Sequence, residues 1–140
     1  MQTAFRCFLP YPFLMWYLCS LSGTDMLIEI LLAKLHNVRV TQTELNYTGS
    51  ITIDMDLVDA CGMRPNQKVL VVNNHNGERF ETYIIAGERG SGIIGINGAA
   101  ARKAQPGDEL IVMTFGMMTP EEADQHVPRN IFPDRQNRLA

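Results

Sequence analysis

A mainly β, compact barrel with small helices is the fold class that this 140-residue sequence predicts. Three observations predict it. Apolar residues come in many short runs, several of them alternating with polar residues, as half-buried strands do. Turn signals such as Arg64-Pro65-Asn66, Asn76-Gly77 and Pro106-Gly107-Asp108 separate those runs at regular intervals. Helical spacing is confined to a few brief stretches.

Taken in order, the chain opens with an apolar and aromatic segment, Cys7 to Leu21, inside residues 1–25. Pro10 and Pro12 interrupt it and no small-residue cleavage site follows, against a signal peptide. It is also shorter than the roughly 20 apolar residues of a membrane span. Residues 1–25 are therefore expected to be an N-terminal extension, either a start placed too early or a poorly ordered segment. Met26 is the better candidate for the true start.

Leu27 to Leu35 is apolar, and Val38 and Val40 alternate with Arg39 and Thr41, so the whole stretch predicts a strand. Thr41 to Thr48 is polar and reads as a loop. Ser50 to Ile53 is a short strand. Asp54 is a helix N-cap, Leu57, Val58 and Cys61 share one face, and Gly62 ends the helix. Gln67 to Asn73 predicts a strand, Asn76-Gly77 a hairpin, and Arg79 to Ala86 the return strand. In that return strand Phe80, Thr82 and Ile84 alternate with Glu81, Tyr83 and Ile85. After a glycine-rich turn from Gly87 to Gly92, Ile93 to Ile96 is a further short strand. Asn97 is placed to cap a one- or two-turn helix through Ala101. Glu109 to Phe115 is the last clear strand. Thr119-Pro120-Glu121-Glu122 carries an N-cap, a proline at N1 and a glutamate at N3, which starts a helix. Residues 26–127 thus read as one domain and residues 128–140, polar in composition, as a loose tail.

Composition narrows the function classes. Apolar content of 46% and a charged fraction of 19% are those of a globular protein. The net charge is −3 and no basic cluster suggests nucleic acid; no segment suggests a membrane. Three cysteines, Cys7, Cys19 and Cys61, lack CxxC spacing and indicate neither a disulfide framework nor a zinc site. His36, His75 and His126 form no metal-ligand pattern, so no metal is expected.

One stretch can carry chemistry of its own, Gly49-Ser50. A hydroxyl just after glycine can attack the preceding carbonyl, because glycine tolerates strained conformations and leaves that carbonyl open. The attack turns the peptide bond into an ester. β-Elimination then releases the upstream chain and leaves dehydroalanine, which hydrolyses with loss of ammonia to a pyruvoyl group. Alone, a Gly-Ser pair is an ordinary turn.

The surrounding blocks give the pair its meaning. They are Lys34-Leu35-His36, Tyr47-Thr48-Gly49-Ser50, Asn76-Gly77-Glu78-Arg79-Phe80-Glu81-Thr82-Tyr83, Glu88-Arg89-Gly90-Ser91 and Asn97-Gly98-Ala99-Ala100-Ala101. From Met26 to about Glu122 the chain resembles the pyruvoyl-dependent aspartate 1-decarboxylase family, in block order and spacing. The resemblance implies a double-psi β-barrel, a cytoplasmic homotetramer, and decarboxylation of L-aspartate to β-alanine for pantothenate synthesis. It implies cleavage between Gly49 and Ser50, with Ser50 the precursor of the pyruvoyl group that forms a Schiff base with substrate. It implies Tyr83 as proton donor and Thr82, Gly98, Ala99, Ala100, Arg79 and Lys34 as substrate-binding residues, with Tyr47 and Asn97 in support.

The residue chemistry is compatible with those roles. A phenol with pKa about 10 keeps its proton at neutral pH. Arginine and lysine suit a substrate with two carboxylates. Adjacent strand residues point to opposite faces, so Thr82 and Tyr83 can serve one site only if one of them acts from another direction or across a subunit boundary. Val72 departs from the family, which often has Trp there near the pocket. Two other readings stay open: an uncleaved barrel that only binds partners, and a pyruvoyl decarboxylase of another amino acid.

Overall fold

The computed structural model describes residues 26–139; the N-terminal extension read from residues 1–25 lies outside them. The described chain runs β1 (Ile28–Arg39), β2 (Gln42–Glu44), β3 (Ser50–Asp54), α1 (Met55–Cys61), β4 (Lys68–Asn73) and β5 (Arg79–Gly87). It continues through β6 (Ile94–Asn97), a 3-10 helix (Gly98–Arg102), β7 (Glu109–Met118), α2 (Pro120–Gln125) and β8 (Arg129–Ile131). The eight strands form one mixed sheet in the order β2-β6-β3-β5-β4-β7-β1-β8.

That order requires the sheet to roll up. β1 and β2 are separated by two residues in sequence but stand six places apart in the sheet. A flat sheet would put them roughly 29 Å apart, while the connection spans at most about 10 Å. The two ends must therefore meet. At the seam, Val40 N donates to Asp108 O at 2.9 Å and Thr41 N to Ile94 O at 2.8 Å. The mainly β barrel class expected from the sequence is the one observed.

The inward positions fill a single core. Leu35, Val38, Ile51, Ile53, Val71, Ile84, Ile94, Ile96, Leu110 and Val112 have no exposed surface, so six strands contribute. Burying each such side chain is worth about 1.5–3 kcal/mol relative to exposure. α1 closes one end through Leu57, Val58 and Cys61. Asp54 Oδ1 accepts from Asp56 N at 2.9 Å, and Gly62 ends the helix at φ 69°, so both predicted caps are present. α2 has its capping box: Glu122 N donates to Thr119 Oγ1, and Thr119 N to Glu122 Oε2.

Three sequence expectations need correction. The polar stretch from Thr41 to Thr48 contains β2, which pairs in parallel with β6; backbone hydrogen bonding there needs no apolar side chains. Residues 128–140 are not a loose tail throughout. β8 pairs in parallel with β1, and buried Asn137 accepts from Arg39 N and donates to Arg39 O and Gly92 O, all at 2.8 Å. One buried amide anchors that polar segment where composition suggested no core. Asn97 stands at the N-cap position of the 3-10 helix without a side-chain cap bond. Its Nδ2 donates across the sheet to Thr52 Oγ1 at 3.0 Å, because the residue is still in β6 and faces β3.

Candidate active site

β3 lies between β5 and β6, parallel to the first and antiparallel to the second. Its first residue, Ser50, therefore starts at the centre of three strands. Ser50 pairs with Asn97 on one side. On the other side its hydroxyl donates to the Tyr83 carbonyl. Ser50 is 4% exposed, unusual for a residue that opens a strand from an exposed loop.

The backbone at the junction is strained. Gly49 has φ 101° and Ser50 has φ 89°. Glycine adopts such angles freely; a serine in that region stores on the order of 1–3 kcal/mol. Gly98, at φ 62°, packs directly on this turn. A Cβ built on Gly98 would fall 2.7 Å from Gly49 Cα and 3.1 Å from both Gly49 N and the Tyr47 carbonyl oxygen. Only a residue without a side chain permits that approach. Two glycines and one positive-φ serine thus meet backbone to backbone, with Tyr47 beside them.

The structure brings together Tyr47, Gly49, Ser50, Asn97, Gly98 and the Tyr83 backbone. Ala99 and Ala100 follow on the 3-10 helix, Ala99 exposed and Ala100 packed against the core. Thr82 is half-buried on the inward face of β5, between Phe80 and Ile84. Tyr83 points the other way and is 43% exposed. The alternation anticipated from sequence is therefore real, and the two side chains do not share a face.

Lys34 and Arg79 are set apart from the junction. Lys34 pairs with Met113, Met113 with Leu70 and Leu70 with Glu81, so β1 stands three strand spacings, about 14 Å, from β5. Arg79 is four residues, about 13 Å, before Tyr83 along β5. Lys34, Arg79 and Tyr83 do share the outer face of the sheet, since Ala33, Leu35 and Ile84 beside them point inward. Half-buried Val72 lies on that face too, paired with Arg79 and Ile111. No large side chain stands at the position where the resemblance suggests Trp.

Two features carried no sequence signal. The acceptor for Ser50 is a backbone carbonyl, placed by a parallel pairing that no local pattern encodes. Asp54 does more than cap α1: its carboxylate also accepts from Gly90 N at 3.1 Å and Gly92 N at 2.7 Å. It ties the far end of β3 to the glycine-rich turn. His36, two residues from Lys34, has a buried Nδ1 without a partner among the described residues. Burial, and then the Lys34 charge, lower its pKa, and its ring lies 5.2 Å from that of Phe132.

Residues 26–140 match the aspartate decarboxylase family. Curated relatives include an aspartate 1-decarboxylase of Parabacteroides distasonis, 62% identical over 78% of this chain and 94% of its own. Another, from Chloroherpeton thalassium, is 58% identical over 81% of this chain and 83% of its own. A computationally designed protein of known structure, msDPBB_sym2, is similar at 13% identity with a TM-score of 0.39, over 62% of this chain and 99% of that one. With a match that takes in the junction, both packing glycines and every strand of the barrel, the chain belongs to the aspartate decarboxylase family.

Proposed function

We propose that the chain decarboxylates L-aspartate to β-alanine and carbon dioxide for pantothenate synthesis. We place it in the cytoplasm, as a homotetramer, with a pyruvoyl group made from Ser50. Among the described residues no helix is long and apolar enough to cross a membrane. The observation that carries the reading is the Gly49-Ser50 turn, with both residues at positive φ and Gly98 packed against it.

The residues present fit a pyruvoyl group. A Cβ on Gly98 would fill the cradle beside the junction, and the strain at Ser50 is relieved when the peptide bond before it breaks. To make the group, the Ser50 hydroxyl turns from the Tyr83 carbonyl and attacks the Gly49 carbonyl carbon. An ester C–O bond forms, the C–N bond breaks, and the proton goes to the freed amine. Elimination across Cα and Cβ then expels the Gly49 carboxylate. Hydrolysis of the resulting dehydroalanine releases ammonia. Once present, the ketone supplies the electron sink that loss of carbon dioxide from an α-amino acid needs.

The remaining roles fall to other residues. Arg79 and Lys34 bind the two substrate carboxylates, the arginine through its paired donors and the lysine as a point charge. Tyr83 holds a proton for substrate Cα. Gly98, Ala99 and Ala100 lie along substrate without side-chain bulk, Thr82 supports the turn and substrate, and Tyr47 and Asn97 hold the turn in place.

One chain does not complete this set, because Lys34 and Arg79 stand strands and residues away from its own Ser50. A second copy laid on the outer face completes it. That face offers Leu70, Val72, Ile111 and Met113, half-buried, with Phe115 at 38% and Met117 at 59% exposure. Apolar surface of this kind on a strand face is what subunit contacts cover.

Ser50→Ala tests the reading. Intact mass should give two chains for the parent and one for the variant, with β-alanine release only in the parent. An uncleaved parent chain that binds partners without turnover, or faster turnover of another amino acid in a substrate panel, would replace it.

A further inference from the structure

A cavity away from the junction shares no lining residue with it. It has a volume of about 490 Å³ and opens between α1, the start of β4 and the segment from α2 into β8. That is the size of a pocket for a small metabolite. Leu32, Ala33 and Val127 give it apolar wall. Its polar lining is Arg64, Arg129, Gln67, Thr114 and His126, with no carboxylate.

The two arginines are the informative part. Among the described residues four cations are ion-paired, Arg39 with Glu109, Lys68 with Glu81, Arg89 with Asp56 and Asp59, and Lys103 with Glu78. Arg64 and Arg129 are among the seven described cations that are not, and they alone of those seven line this cavity. Arg129 lies beside the end of α1. A Cβ on Gly62 would lie 2.8 Å from its Nη1, so the guanidinium passes over the glycine that ends α1. Arg64 follows two residues later, at the same mouth. Below them Gln67 Nε2 donates to Thr114 Oγ1 at 2.8 Å, and Gln67 Oε1 accepts from Arg64 N at 3.0 Å. His126 is held through Nε2 on the Leu31 carbonyl at 3.0 Å.

Two guanidinium groups at one mouth, over a floor hydrogen-bonded within itself, offer paired donors and positive charge with no acid among the lining residues to take them. The structure assigns this cavity as a binding site for a small dianion with an apolar portion, separate from the decarboxylation site. A phosphate monoester and a dicarboxylate share that chemistry, and both accept paired arginine donors.

The test is calorimetric titration of the full, mature protein with inorganic phosphate and, separately, with succinate, at constant ionic strength set by chloride. Each anion should bind once per chain at this mouth, succinate also occupying the decarboxylation site where Arg79 and Lys34 take the substrate carboxylates. Arg64→Gln and Arg129→Gln should each weaken binding at the mouth at least roughly tenfold, the scale of a charge-assisted hydrogen bond. Arg79→Gln should leave phosphate binding unchanged and remove only the second succinate. Tighter binding of phosphate at the mouth assigns a phosphorylated ligand, and tighter binding of succinate there a dicarboxylate. No binding there up to about 10 mM, a weak limit for any specific site, overturns the assignment. So does phosphate binding that survives both substitutions, or that is lost with Arg79→Gln alone, which would locate it at the decarboxylation site. Should Arg129→Gln unfold the protein, Arg64→Gln carries the test, since that side chain is exposed and its backbone N–H bond to Gln67 is untouched.

Discussion

Replacing Gly98 with alanine should separate folding from self-cleavage. Two penalties can be worked out. An alanine held at φ 62° is in the left-handed region, which costs about 1–2 kcal/mol. Its Cβ would stand 2.7 Å from Gly49 Cα, where carbon atoms prefer 3.5–4.0 Å, so the junction must retreat by about 1 Å. Overpacking of that kind costs about 1–3 kcal/mol. Together these come to about 2–5 kcal/mol, below the 5–15 kcal/mol of a typical domain, so the barrel should still form. Relief is easiest toward the exposed loop that carries Tyr47 and Thr48, which moves the Gly49 carbonyl away from the Ser50 hydroxyl. A misplacement of about 1 Å can cost on the order of a hundredfold in rate. Gly77→Ala is the matched control. It sits at φ 75° with nothing within 4 Å of the added Cβ, so it carries the conformational penalty without the collision. The assay follows the two chains by intact mass over time, alongside thermal unfolding. Expected is slow cleavage in Gly98→Ala and normal cleavage in Gly77→Ala, both folded. Cleavage of Gly98→Ala at the parent rate would refute the idea that this contact sets the junction.

Two further outcomes are expected. Tyr83→Phe should cleave like the parent, because the carbonyl that receives the Ser50 hydroxyl is backbone and survives the change. β-Alanine release should fall by roughly 10²–10⁴-fold as the general acid is lost, and near-normal turnover in fully cleaved variant would remove Tyr83 from that role. Burial pushes the Cys61 thiol up from 9.0 to about 11, partly offset by the Arg129 charge. The folded state therefore holds this proton more tightly, and the associated stability, about 2–3 kcal/mol, is present below pH 9 and lost as pH rises toward 11. Denaturant titrations across that range should show a shallower alkaline decline in Cys61→Ala than in the parent; equal slopes would contradict it.

Much of this was legible in the sequence because it is local. Alternation marked β5, Asp54 and Gly62 bounded α1, and Thr119 to Glu122 announced α2, since side-chain spacing and caps act within a few residues. The Gly49-Ser50 pair and the blocks around it pointed to the family for the same reason: they are contiguous. Tertiary structure decided the rest. That β2 closes the barrel against β6, that Asn137 anchors the C-terminal segment and that Asn97 reaches Thr52 instead of capping a helix all depend on partners distant in sequence. Composition is blind to such partners. So too with the site: the positive φ of Ser50, its hydrogen bond to the Tyr83 carbonyl and the approach of Gly98 to Gly49 arise only when β3 is inserted between β5 and β6. Residue types set which chemistry was available. The parallel pairing of β3 with β5, which no short-range pattern encodes, set where the serine hydroxyl rests.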